Sequence, residues 1–130
     1  LGSLTIGGEL SCVDNLVTRP TLKDYSETVK STTTKNSSFN VDFEDGNVQV
    51  FTFGGDLTAS FTNPPASGTA GTVTLIITNG GANTTTWHSS VKWPGDSAPA
   101  LTSSGVDIVS FMTIDAGTTI YGFVGGINFS

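Results

Sequence analysis

Residues 86–123, TWHSSVKWPGDSAPALTSSGVDIVSFMTIDAGTTIYGF, decide the fold class of this 130-residue chain. The stretch combines two tryptophans, a Pro-Gly turn and two glycine-punctuated apolar runs with very few reactive side chains. Val106 to Ile114 carries the β-branched and aromatic enrichment of a half-buried strand. Trp87 and Trp93 precede a turn-rich crossover from Pro94 to Gly105, and Tyr121 and Phe123 follow it. The pattern reads as architecture, and residue chemistry alone specifies no activity.

Working outward, the same grammar recurs. Phe39, Val41 and Phe43 alternate with Asn40 and Asp42, and the turn Glu44-Asp45-Gly46-Asn47 follows. Asp-Gly between apolar runs predicts a hairpin. Val48 and Val50, then Phe51 and Phe53, change parity, which implies a bulge or burial on both faces. Leu57, Ala59 and Phe61 face one way before Asn63-Pro64-Pro65 stops pairing. Val73, Leu75 and Ile77 alternate with threonines up to Asn79-Gly80-Gly81, and shorter runs cover Thr84–Trp87, Val91–Trp93 and Thr118–Val124. Roughly eight or nine strands at such spacing predict an all-β fold, an antiparallel β-sandwich or jelly-roll-like domain. Its expected core is Phe39, Phe43, Phe53, Phe61, Val73, Leu75, Ile77, Trp87, Ile108, Met112 and Phe123.

Composition changes near Lys35-Asn36. Four of the five basic residues precede it, among loosely scattered apolar ones. Gly7-Gly8 and Arg19-Pro20 exclude a helix of ordinary length up to Thr21. Residues 1–24 are therefore expected to form an extended N-terminal arm and residues 25–130 the antiparallel β domain. For Thr21 to Thr33 a strand is preferred over a short helix, because the Ser31-Thr32-Thr33-Thr34 tract opposes helix continuation.

The composition also narrows function. Charged residues make up 12% of the chain, whereas 21 Thr and 15 Ser give it a hydroxyl-rich β composition. A formal charge of −6 with scattered Arg19, Lys23, Lys30, Lys35 and Lys92 provides no basic stripe for phosphates, so no nucleic-acid partner is expected. No apolar run is long enough to span a membrane as a helix, and Leu1 to Val17 lacks the basic start and apolar core of a signal peptide, so no membrane partner is expected. A chain beginning at Leu1 reads equally as a processed product, a fragment or part of a longer polypeptide. The lone Cys12 excludes an intrachain disulfide and reads as a small buried hydrophobe, with an intersubunit bridge as the alternative; assembly inside a reducing cell fits better than a small secreted scaffold.

Candidate chemistry is sparse. His88 is the only histidine, stands outside any nucleophile-elbow context and reads as a surface hydrogen-bonding side chain. The acidic turn from Asp42 to Asn47 lacks the spacing of a calcium loop and reads as a solvated turn. Asp107 and Asp115 bracket a strand and are assigned to turns. No cofactor, metal or catalytic residue is expected. Trp87, Trp93 and Tyr121 are the aromatic candidates for stacking on a sugar or for an interface, set against ordinary burial in the core.

Several of these segments together resemble a C-terminal β domain of tailed-bacteriophage virion proteins, of fibre or capsid-surface type, in marine and freshwater phages. They are Leu22–Val29, Asn63-Pro64-Pro65-Ala66-Ser67-Gly68, Val73–Ile77, Thr86-Trp87, Ser90-Val91-Lys92-Trp93-Pro94-Gly95, Ala98-Pro99, Val106–Phe111 and Asp115–Phe123, so the similarity spans roughly residues 22–129. His88 departs from the family, where proline is common, and Ile120 stands where an aromatic is frequent. The resemblance implies a non-enzymatic virion structural protein, a capsid decoration (cement) protein or fibre head, located on the capsid surface or tail fibre and assembled in the host cytoplasm. Its partners would be other virion proteins, capsid or tail subunits, within a homo-oligomer, trimer or dimer. Leu4, Ile6, Leu10, Val13, Leu16 and Val17 are the expected virion-contact residues of the arm. The alternative is a receptor-binding or carbohydrate-binding fibre tip that recognises a host surface glycan.

Overall fold

The computed structural model describes residues 2–3, 5–12 and 15–130. Nine strands and one 3-10 turn, Pro94–Asp96, are found among them: β1 (Val29–Ser31), β2 (Ser38–Asp42), β3 (Val48–Thr52), β4 (Leu57–Thr62), β5 (Gly71–Thr78), β6 (Thr85–Thr86), β7 (Val91–Lys92), β8 (Val106–Thr113) and β9 (Ile120–Phe129). The fold is all-β. Alternation builds the strands: Phe39 and Val41 of β2, Leu57 and Ala59 of β4, and Val73, Leu75 and Ile77 of β5 are buried, with polar or half-exposed residues between them.

The strands form a six-stranded sheet in the order β1-β3-β5-β8-β9-β7 and a three-stranded sheet in the order β2-β4-β6. From β1 to β6 the chain changes sheet at every step. Successive strands of one sheet therefore run the same way, so β1/β3, β3/β5, β2/β4 and β4/β6 are parallel. β5/β8 and β8/β9 are antiparallel, and β7/β9 is again parallel. The expected wholly antiparallel domain is thus corrected to mixed sheets.

The turn at Asp45-Gly46 explains the difference. It reverses the chain as an arch that crosses from one sheet to the other, so β2 and β3 do not pair as a hairpin. Gly46 adopts φ 127°, and a β-carbon there would sit 2.6 Å from the carbonyl oxygen of Thr28, which lies against the arch. Only glycine suits both demands. The buried Gln49 holds the crossing by donating from Nε2 to the carbonyls of Asp42 at 2.6 Å and Gly46 at 3.1 Å. These bonds satisfy backbone groups that an arch leaves outside the ladders.

Gln49 also resolves the parity change in β3. Gln49, Phe51 and Phe53 face inward, while Val48 and Val50 are half-buried on the opposite face, so burial on both faces is the arrangement found. Aromatic contacts join the two sheets: Phe39 lies 5.2 Å from Phe51 and 4.8 Å from Phe53, and Phe61 lies 5.1 Å from Phe111, centroid to centroid. Each such pair contributes about 0.5–1.5 kcal/mol beyond area burial.

Six of the expected core residues lie elsewhere. Phe43, Phe61 and Trp87 are half-buried at its margin. In β8 the inward parity is Asp107, Val109, Phe111 and Thr113, which leaves Ile108 and Met112 half-buried on the outer face. Phe123 is exposed. Val41, Phe51, Leu57, Ala59, Val91, Val109, Phe111 and Ile120 complete the core in their place. β8 misleads because apolar residues occupy both of its faces, and its inward parity carries two polar side chains that are buried because they are hydrogen-bonded.

Before β1 the described residues contain no helix or strand, and Ile6, Leu10, Leu16 and Val17 are exposed. Leu4 and Val13 lie outside the described residues. Among the described residues no helix is long and apolar enough to cross a membrane.

Candidate binding surface

The most distinctive surface begins where β7 stops. Pro94 carries no N–H to continue a ladder, Gly95 turns the chain at φ 64°, and the Asp96 N–H closes the turn on the Trp93 carbonyl at 3.0 Å. β7 therefore pairs with β9 only at Ile120 and Tyr121. From Gly122 to Phe129, β9 has β8 on one side and, among the described residues, no strand on the other.

At the junction a groove of about 320 Å³ is lined by Lys92, Trp93, Pro94, Tyr121, Gly122 and Phe123. Strand alternation sends Tyr121 and Phe123 outward, 47% and 44% exposed, and turns Ile120 and Gly122 inward. Trp93 folds over Gly122 and makes edge contacts with Trp87 at 5.3 Å and Phe111 at 5.6 Å. Trp87 in turn reaches Phe39 at 5.8 Å and Phe111 at 5.4 Å. The two tryptophans thus form one half-buried wall of the core.

Of the three aromatic candidates, Trp93 and Tyr121 share this groove. Trp87 opens instead into a separate depression of about 280 Å³ with Asn83, Thr85, Pro99 and Leu101. Phe123, expected in the core, belongs to the groove; its parity with Tyr121 across Gly122 is the sequence signal that puts it there.

The exposed strand continues as an irregular edge. Register shifts between Val106 and Val109 mark extra residues in β9, and Asn128 adopts φ 60°. Its freed N–H donates to Asp107 Oδ1 at 3.0 Å. The same buried carboxylate accepts from the Thr102 N–H at 2.6 Å and the Thr102 hydroxyl at 2.7 Å. Asp107 therefore ties the 102–105 loop to the bulged end of β9, where Val124, Ile127 and Phe129 stand exposed.

The other polar candidates serve turns. The Thr119 N–H at 2.9 Å and the Thr113 hydroxyl at 3.0 Å donate to Asp115 Oδ1, and the first of these chiefly holds its carboxyl below the ordinary value. Ala116 and Gly117, both at positive φ, complete the β8–β9 hairpin. Asp42 is lowered mainly by the Glu44 N–H at 3.0 Å, with the Asn63 amide next. The acidic turn is further occupied by a Lys30–Asp45 ion pair of 3.2 Å. His88 is exposed, and its Nδ1 accepts from the Ser90 N–H at 3.2 Å. Cys12 is a half-buried free thiol. Among the described residues no cluster of three or more His, Cys, Asp or Glu side chains is arranged to hold a metal ion.

No family model, no curated protein and no solved structure matches this chain.

Proposed function

We propose that this chain is a non-enzymatic bacteriophage virion structural protein, a capsid decoration (cement) protein or fibre head that oligomerises and attaches to the particle through its N-terminal arm. In fold terms we read it as a β-sandwich entered by an extended arm. The observation that carries the reading is a pair of apolar surfaces in one small chain. The residues ahead of β1 expose Ile6, Leu10, Leu16 and Val17, and the end of β9 exposes Phe123, Val124, Ile127 and Phe129. Contiguous exposed apolar surface with an open strand edge favours association. The resemblance of Ser90–Gly95 and Asp115–Phe123 to phage virion domains supplies the setting. Sedimentation of the full chain tests the assembly half of the reading: a concentration-dependent dimer or trimer supports it, and a monomer throughout opposes it.

The groove favours a second reading, recognition of a host surface glycan by a fibre tip. Tyr121 and Trp93 offer ring surface beside the Lys92 ammonium, a combination that stacks on a pyranose and donates to its hydroxyls. A glycan array with the wild-type chain and Tyr121→Ala tests this reading. Saturable binding lost in the variant supports it, and no binding to any glycan removes it.

A further inference from the structure

We propose that the groove beside Lys92 takes a pyranose carrying an anionic substituent, a carboxylate or a sulfate, in preference to a neutral sugar. The inference rests on the glycan reading of this groove and names the class of sugar that fits it.

Strand pairing places a cation beside two exposed rings. β7 and β9 run parallel with Lys92 opposite Tyr121. Val91 and Ile120 are buried, so alternation puts Lys92 and Tyr121 together on the outer face, and Phe123 follows two residues on, exposed on that same face. Pro94 ends β7 there, which leaves the Lys92 side chain and both rings bordering one open groove of about 320 Å³. A groove of that size is at the lower end of the range for small-ligand sites and suits sugar rings, not a folded partner. The rings offer apolar faces to pyranose carbons, and an ammonium with three N–H donors can reach a ring substituent.

The charge pattern selects the substituent. From Asn36 to Ser130 the chain has seven acidic side chains and a single basic one, Lys92. Lys30, further back, is neutralised by Asp45 at 3.2 Å, whereas Lys92 is exposed and has no ion-pair partner among the described residues. None of the seven carboxylates lines the groove. Asp42, Glu44 and Asp45 lie at the β2–β3 arch, Asp107 is buried beneath the bulged end of β9, and Asp115 is held within the β8–β9 hairpin. Asp96, the nearest of them along the chain, sits in the turn beyond Pro94 and makes no ion pair with Lys92. The groove therefore presents an uncommitted positive charge on an otherwise acidic body, and an anionic sugar complements it where a neutral one does not.

A glycan array of matched pairs, identical except for reduction of a carboxylate or loss of a sulfate, tests this with the full chain. The charged member of a bound pair should bind about three- to fivefold more tightly than its neutral counterpart, the gain an exposed ion pair supplies. A preference confined to the carboxylate pairs or to the sulfate pairs identifies which anion is read. Lys92→Met should erase the preference while neutral sugars bind as before, Lys92→Arg should keep it, and salt raised to about 0.5 M should erase it in the wild type. Neutral members bound as tightly as their charged partners, or a preference that survives Lys92→Met, would overturn the inference and leave the glycan reading standing. A polyglutamate peptide bound as tightly as the charged glycans would also overturn it, because the rings would then play no part. No saturable binding to any glycan would overturn the glycan reading as well.

Discussion

Trp93 stands over Gly122, so closely that a β-carbon at position 122 would sit 2.7 Å from Cζ3 of the indole. The glycine lies inward in β9 between Tyr121 and Phe123, and across the sheet it faces Phe111. The relationship links core and surface: the ring that fills the space above Gly122 also floors the aromatic groove.

Gly122→Val should therefore destabilise by about 1–3 kcal/mol through overpacking, and Trp93→Ala by about 3 kcal/mol through the lost aromatic contacts. The two should not add. In the double variant the valine occupies space the indole has vacated, so the combined loss falls short of the sum of the single ones. Urea unfolding of the four proteins measures the coupling, and strict additivity would show that Trp93 does not cover Gly122.

Asp107 makes a sharper stability prediction. Asp107→Ala leaves the part-buried Thr102 N–H and hydroxyl and the Asn128 N–H without their acceptor and should cost about 1–3 kcal/mol, because water reaches the exposed Asn128. Asp107→Asn should also destabilise, since one amide oxygen cannot accept from the three donors that meet the carboxylate. Hydrogen exchange should accelerate first at Thr102 and Asn128. Unchanged protection there would remove Asp107 from its role as the tie between loop and bulge.

The strands that repeat one parity were legible from sequence. Phe39/Val41, Leu57/Ala59 and Val73/Leu75/Ile77 face the core because alternation specifies which face of a strand is apolar. Alternation does not specify which strand lies alongside. Asp45-Gly46 carries the residue types of a hairpin turn, and what makes it an arch is the stacking of Thr28 against Gly46 and the inward Gln49, both tertiary facts. In β8 the inner parity was hidden because Asp107 and Thr113 are polar yet buried, while Ile108 and Met112 are apolar yet outward. Of the groove, Trp93 and Tyr121 were nameable as aromatics. That Phe123 joins them depends on the early end of β7 at Pro94.

Acid should weaken the fold through Asp42 and Asp115. Both carboxyls lie below their ordinary value of 3.8, Asp42 chiefly through the Glu44 N–H and Asp115 chiefly through the Thr119 N–H. A lowered native pKa contributes stability that is fully present above the unfolded value and is lost as pH falls through the native one. The urea midpoint should thus be level above about pH 5 and decline below pH 4. Asp42→Asn and Asp115→Asn should each flatten that decline. A midpoint that holds or rises on acidification would contradict the assignment.

Tyr121→Ala separates surface from scaffold. The side chain is 47% exposed beside the half-buried Trp93, so its removal should change stability by less than about 1 kcal/mol. A loss well above that would mean the ring is part of the core, and a thermal melt decides it.

The proposed role makes the chain a built-in component of a phage particle. Quantitative mass spectrometry with antibody labelling in the electron microscope, on phage particles purified from the source of this sequence, is the decisive measurement. In that role the chain should be retained through purification at a fixed copy number, with label confined to the capsid surface or the fibres. Particles free of the chain, or label washed away in proportion to soluble contaminants, would contradict it.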